Sequence, residues 1–203
     1  MLTCNEISSL VIDTLRKQAD GQNIAVLSLY CDYQARKVQS TVNIIGGLLG
    51  QVTLALGATA IPGEIKKSFE EARKGGGQGL RLPEMLKLFV KVISSIGRVY
   101  ICVDAVDELL ENDRSEFLRA LPQIIQEAPN TRLFLTGRPY IRGELDKHLK
   151  KGVRVIHIVA DQGDITRYLS QKMDGDDDRD PGLMTESLKN EITKTILEKA
   201  SGM

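Results

Sequence analysis

Val99-Tyr100-Ile101-Cys102-Val103-Asp104-Ala105-Val106-Asp107-Glu108 decides the fold of this chain. The run from Val99 to Val103 is too short for a helix and too uniformly apolar for a strand with one face in water. It reads as a strand buried on both faces, as in a parallel sheet covered by helices. The run ends in Asp104, and Asp107 and Glu108 follow, which puts three carboxylates within five positions. Ligands of a parallel α/β sheet gather beyond the carboxyl ends of its strands, so chemistry is expected at this exit. Crowding like charge beside an apolar strand is costly unless a cation or a proton offsets it. A Mg²⁺ ion with a nucleotide is the economical explanation. Asp104 would then hold the metal directly or through water, and Asp107 or Glu108 would polarise an attacking water. The alternative is a strand followed by a solvated helix start, where acidic residues suit the helix dipole.

The flanking sequence repeats the theme. Upstream, Ile24 to Tyr30 is a second short apolar run and predicts a strand. Downstream, Arg132 to Thr136 predicts another, leaving through Gly137-Arg138-Pro139. Arg138 beside the acidic cluster suits a phosphate, its guanidinium being always charged and forked, or else a salt bridge to Asp104 or Glu108. Val153 to Val159 is β-branched at nearly every position and predicts a fourth strand. Helical spacing fills the intervals. Thr3-Cys4-Asn5-Glu6 has the form of a capping box ahead of Ile7, Leu10, Val11 and Leu15. Further amphipathic segments run over Ile61 to Arg73, Leu82 to Ile96, Ser115 to Gln126, Pro139 to Leu149 and Asp164 to Lys172. Gly75 to Gly79 predicts a loop and residues 173–182 an acidic one, with a helical segment over 183–203. Strands alternating with helices make this a three-layer, mainly parallel α/β sheet.

Length and composition fit. The 203 residues suffice for one domain with its own core, and 42% hydrophobic with 27% charged residues is a globular balance. Lys plus Arg and Asp plus Glu both number 27, so no basic excess favours nucleic acid, which is not expected as a partner. Cys4, Cys31 and Cys102 suit reduced thiols in the cytoplasm, and neither His148 nor His157 lies at metal-ligand spacing from a cysteine. No charge interrupts Val38 to Gly63, but Ile45, Leu48, Leu49 and Val52 recur at helical spacing. The segment is expected to be a buried helix, with no membrane partner.

At Val99 to Glu108 the chain resembles the Walker B strand of NACHT-type NTPases, members of the STAND class of P-loop switches. Leu133 to Pro139 resembles their sensor strand, with Arg138 at the sensor arginine. Asp164-Ile165, Tyr168-Leu169 and Ile196 to Met203 resemble the later part of that domain, in the flavour of fungal NACHT receptors. The resemblance runs from about Ser8 to Met203. It implies a nucleotide-dependent signalling switch of NLR type, at work in innate immunity or heterokaryon incompatibility. It also implies Mg²⁺ on Asp104, water activation by Asp107 and Glu108, and ATP or GTP sensed through Arg138. The partners it implies are the nucleotide, other NACHT proteins, or missing domains of the same chain.

One departure is plain. The family's Gly-rich loop closes in Gly-Lys-Thr or Gly-Lys-Ser, and its backbone amides and lysine cradle the phosphates. No such loop occurs here, and Cys4 and Asn5 fall where the lysine and hydroxyl belong. Gly75 to Gly79 is not followed by a Lys-Ser or Lys-Thr pair. Residues 1–203 are therefore expected to be a single incomplete NACHT-like domain, truncated before the Walker A strand and loop, with nucleotide binding impaired. In the family the P-loop strand lies beside the sensor strand, so an apolar sheet edge is expected to be left open or closed by Val153 to Val159. The rival readings are a non-catalytic protein-interaction module, that is, a pseudo-NTPase, and a Mg²⁺-dependent phosphohydrolase.

Overall fold

A computed structural model describes residues 4–56, 63, 80–149, 152–158, 162–177 and 185–200. The chain divides into two compact units, Cys4–Val153 and one containing Arg154–Met203. The first carries α1 (Cys4–Ala19), β1 (Ile24–Tyr30), α2 (Thr41–Leu56), α3 (Leu82–Ile93), β2 (Arg98–Asp104), α4 (Glu111–Glu127), β3 (Thr131–Leu135) and α5 (Arg142–His148). Short 3₁₀ turns at Val106–Glu108 and Pro139–Ile141 follow β2 and β3.

The three strands are parallel in the order β1-β2-β3, with Tyr30 opposite Asp104 and Val103 opposite Leu135. All three therefore end at the same edge. Ala25, Leu27, Val99, Ile101 and Val103 join the main core with residues of α2, α3 and α4, which pack against one another. α1 packs on β1 and β2. The guanidinium of Arg16 donates to Ser28 Oγ at 3.0 Å, and Ser28 is the register partner of Cys102. Ile12 and Cys102 are buried without joining the main core, which gives helix, sheet and helix as three layers. This is the α/β parallel architecture expected from the apolar runs.

Local signals account for the elements. α3 begins with the Arg81 N–H donating to Glu84 Oε2 at 2.9 Å, the return half of a capping box, and Pro83 sits in the first turn. Asn130 Nδ2 donates to the carbonyls of Ile93 and Ile96, at 2.8 and 2.6 Å, and so closes the other end. At Gly97 a Cβ would stand 2.9 Å from the Asn23 carbonyl, so only glycine allows that approach. The uncharged run forms α2, which buries Thr41, Ile44, Ile45, Leu48, Leu49 and Val52. Among the described residues no helix is long and apolar enough to cross a membrane.

The outer edge of β1 is closed by side chains. Gln51 Oε1 accepts from the Ser28 N–H at 2.9 Å, and its Nε2 donates to the Ser28 carbonyl at 2.8 Å. Gln39 does the same one step along, accepting from the Asp32 N–H and donating to the Tyr30 carbonyl, both at 3.0 Å.

Three expectations are corrected. Residues 153–158 form no strand; Val155, Ile156 and Ile158 are exposed. β-branching favours a pleated, half-buried surface and does not make a strand without a neighbour to pair with. On α1 the buried positions are Ser8 and Ile12, whereas Leu10 is exposed. The inward stripe is thus rotated toward a serine that apolar counting passes over. Asp174 to Asp177, read as part of an acidic loop, instead extend α6 (Gln162–Asp177) of the second unit, where Lys189 Nζ of α7 (Glu186–Ala200) meets Asp174 Oδ1 at 3.0 Å. That cation offsets part of the acidic charge at the end of the helix. The remainder of the acidic segment, the Ile61 to Arg73 helix and the Gly75 to Gly79 loop lie outside the described residues.

Candidate functional site

The parallel register brings the exits of all three strands together. Asp104 closes β2 and is 2% exposed. Its Oδ1 accepts from two hydroxyls, Ser8 Oγ on α1 and Thr136 Oγ1 just beyond β3, the latter at 2.6 Å. Thr136 Oγ1 also accepts from the Ala105 N–H at 2.9 Å. Its backbone bridges the same two strands, donating to the Val103 carbonyl and accepting from the Val106 N–H, both at 2.9 Å. Held this way, Ala105 adopts φ 54°, ψ 47°, the left-handed region, at a cost of roughly 1–2 kcal/mol for a residue with a Cβ. Backbone strain of this kind persists where its surroundings over-determine it.

Asp107 is buried and takes a different set of partners. The Arg138 N–H donates to its Oδ1 at 3.2 Å, Arg138 Nε lies 3.6 Å from its Oδ2, and the Tyr140 hydroxyl reaches its carbonyl at 3.3 Å and its Oδ2 at 3.4 Å. Arg138 therefore pairs with Asp107, not with Asp104 or Glu108, and leaves most of its own side chain in solvent. Glu108 Oε2 accepts from the Tyr33 N–H at 2.9 Å, which ties the loop after β1 to the loop after β2. At Gly137 a Cβ would stand 2.7 Å from Ile141 Cδ1 and 3.3 Å from Val106 Cγ1, so a side chain at this close crossing of the two loops would force the Ile141 and Val106 side chains to shift.

Arg114 of α4 supports the acidic loop from behind. Its Nη1 donates to the carbonyls of Asp107 and Leu109, at 3.3 and 3.2 Å. Its Nε and Nη2 form a fork on Glu144 of α5, at 3.0 and 2.7 Å. The hydrogen bond from Arg114 holds the Glu144 carboxyl below its ordinary value of 4.5 and raises Arg114 in turn. A carboxyl lowered by folding stabilises the fold above its unfolded pKa, and that stability is lost as pH falls through the folded one. The stability difference between wild type and Glu144→Gln is thus expected to be largest near pH 7 and to shrink below about pH 4.5, measured by urea denaturation at each pH. A difference that persists unchanged at pH 2 would remove the ionic role of Glu144.

Cys31, buried at the end of β1, donates its N–H to the Asp104 carbonyl at 3.0 Å. Burial, then the charges of Asp104, Glu108 and Asp107, push its thiol up to about 12, so it is protonated and unreactive at neutral pH.

All four residues singled out from the sequence, Asp104, Asp107, Glu108 and Arg138, thus lie at the carboxyl edge of the sheet. They do not converge as one ligand set: among the described residues no three His, Cys, Asp or Glu side chains are grouped to hold a metal. Each carboxylate has protein donors of its own, which offsets the crowding without a cation. For Mg²⁺ the donor set fits in part. Asp104 with the neighbouring Ser8 hydroxyl is one carboxylate and one oxygen, sufficient for an ion that draws its other ligands from water and nucleotide phosphates. Ser8, Thr136, Tyr33, Tyr140, Arg114 and Glu144 were not foreseen. Thr136, a hydroxyl at a strand exit, was the one with a visible signal. The side chains of Cys4 and Asn5 lie outside the described residues.

A buried aspartate, bonded to hydroxyls from the first helix and from just beyond β3, thus stands at the tip of the middle strand of a three-layer parallel sheet of P-loop NTPase type. The solved Orc1 protein of Aeropyrum pernix in complex with DNA has this fold in common with the chain, at a TM-score of 0.53 and 17% identity, over 84% of this chain and 40% of that one. The chain therefore spans well under half the length of that relative. The Walker-type ATPase of Pyrococcus abyssi aligns at a TM-score of 0.43 and 13% identity, over 97% of this chain and 63% of that one. No curated protein matches the sequence. The family described as Nephrocystin 3, N-terminal, matches residues 6–138, from α1 through Arg138, and the chain belongs to it.

Proposed function

We propose that this chain is the core of a nucleotide-dependent signalling switch of NACHT type, with ATP or GTP binding impaired in the chain by itself. The observation that carries the reading is Asp104, buried at the tip of β2 and bonded to Ser8 and Thr136. These bonds tie one carboxylate to two separate elements, so a change at Asp104 is transmitted to α1 and to the exit of β3. Asp104 and Ser8 would hold Mg²⁺, directly or through water, and the ion would supply charge neutralisation for the phosphates. Arg138, exposed apart from its pairing with Asp107, would turn to the γ-phosphate. That exchange would release the Asp107 carboxylate, and Glu108, the more accessible acid, would orient the attacking water with Asp107. Tyr140 and Arg114 would keep the acidic loop in place meanwhile. Other NACHT proteins, or further domains of the same chain, would read the change.

The experiment supplies what the sequence lacks. A strand and a Gly-Lys-Thr loop fused ahead of α1 are expected to confer micromolar ATP or GTP binding that falls at least tenfold with Asp104→Asn. A folded fusion that binds no nucleotide, or binds it equally well with Asp104→Asn, overturns the proposal. The interaction-module reading rests on a separate observation, the Asp107–Arg138 pair, which gives the buried Asp107 a cationic partner without a nucleotide. It predicts the second of those outcomes.

A further inference from the structure

The loop that carries Asp107 and Glu108 is held in two halves by two different means. Its first half hangs from Thr136, which takes the Ala105 N–H on its hydroxyl and the Val106 N–H on its carbonyl, both at 2.9 Å. The second half is held by side chains. Arg114 Nη1 donates to the carbonyls of Asp107 and Leu109, at 3.3 and 3.2 Å, and the Tyr140 hydroxyl reaches the Asp107 carbonyl at 3.3 Å.

Arg114 has no freedom of its own in this arrangement. Both hydrogens of its Nη1 go to the loop, while its Nε and Nη2 go to the two carboxylate oxygens of Glu144, at 3.0 and 2.7 Å. A guanidinium is planar, so a group fixed at three nitrogens moves as a plate or not at all. The carboxylate at the other end is fixed in turn by its helix. Glu144 lies on α5, which is docked through the fully buried Ile141 just before it and through Leu145, packed against the core. Among the described residues the hydrogen bonds of Glu144 go to Arg114 alone, and none reaches the acidic loop.

We propose that Glu144 is a positioning residue for the acidic loop, which it steers at second hand through Arg114. The second half of the loop and α5 then move as one body, and a displacement of α5 is delivered to Asp107 and Glu108 while Thr136 keeps Ala105 and Val106 in place. α5 becomes the handle by which the acidic edge is regulated. That this edge serves a nucleotide rests on the function proposed above; the coupling rests only on the bonds of Arg114.

Amide hydrogen exchange of the full chain without nucleotide tests the coupling. The N–H groups of Glu108 and Leu109 donate within the loop, to the carbonyls of Ala105 and Val106, and report its second half. Glu144→Gln is expected to accelerate exchange at Glu108 and Leu109 by about fivefold or more beyond any acceleration at Ala105 and Val106. A substitution that merely weakened the whole fold would move both halves alike. Glu144→Asp returns the carboxylate on a shorter stem and is expected to undo part of the effect. Arg114→Lys keeps the cation but loses the planar fork, so it is expected to loosen the same two amides, and adding Glu144→Gln to it to loosen them no further. Should Glu144→Gln fail to fold, Glu144→Asp decides, since it too must accelerate Glu108 and Leu109 over Ala105 and Val106. Unchanged exchange at Glu108 and Leu109 in the folded variant, equal acceleration of both halves, or additive effects in the double variant overturns the proposal. Because the measurement involves no nucleotide, any of these results leaves the nucleotide reading standing, and a fusion that binds no nucleotide leaves the coupling standing.

Discussion

Calorimetric titration of this chain with MgATP or MgGTP up to millimolar concentration is expected to register no binding. Phosphate recognition in P-loop proteins rests on several amide hydrogen bonds and a lysine, each charge-assisted contact worth roughly 1.5 to 3 kcal/mol. About four such contacts amount to roughly 6 to 12 kcal/mol, against about 8 kcal/mol for a micromolar complex. Asp104, Ser8 and Arg138 cannot replace them, because a carboxylate repels phosphate unless a cation intervenes and one exposed guanidinium is largely screened. Asp104→Ala is accordingly expected to change nothing in this titration. Micromolar affinity abolished by Asp104→Ala would show instead that the acidic edge works without a phosphate loop.

The second large effect concerns stability. Phe89 of α3 is fully buried in the core formed with α2, α4 and the sheet. Phe89→Ala is expected to lower the unfolding free energy by about 3–5 kcal/mol, through lost burial and a cavity that packed neighbours cannot refill. That is a large fraction of an ordinary domain's 5–15 kcal/mol. Urea denaturation should show the midpoint falling at constant slope. Leu54→Ala, at a position 82% exposed, serves as the control and should stay within about 0.5 kcal/mol of wild type. A cost below 1 kcal/mol at Phe89 would mean that this core is not packed as described.

The strands at Ile24–Tyr30 and Arg98–Asp104 were legible because their apolar runs are too short for a helix, and Thr131–Leu135 because Leu133 to Leu135 follow the turn at Pro129-Asn130. Their exits were legible for the same reason, and so was the clustering of Asp104, Asp107, Glu108 and Arg138. What the sequence concealed is pairing across distance. Ser8 meets Asp104 over 96 positions, and Tyr33 meets Glu108 over 75. No local pattern marks either hydroxyl or amide as a partner. Nothing local singles out Arg114 or Glu144, and only the packing of α5 against α4 turns them into a fork behind the acidic loop. The misreading at residues 153–158 has the converse cause. Side-chain preference was present there and a neighbouring strand was not.

Gln51 and Gln39 act as terminators on the β1 side of the sheet. A sheet with two free sides polymerises, since every unit added exposes another acceptor for the next, and such growth has no natural stopping size. Two glutamine amides, each imitating a peptide group, occupy the outward groups that a further strand beyond β1 would need. Losing either amide would uncover backbone groups on that side, so these two uncharged residues, remote from any chemistry, oppose the addition of a strand beyond β1.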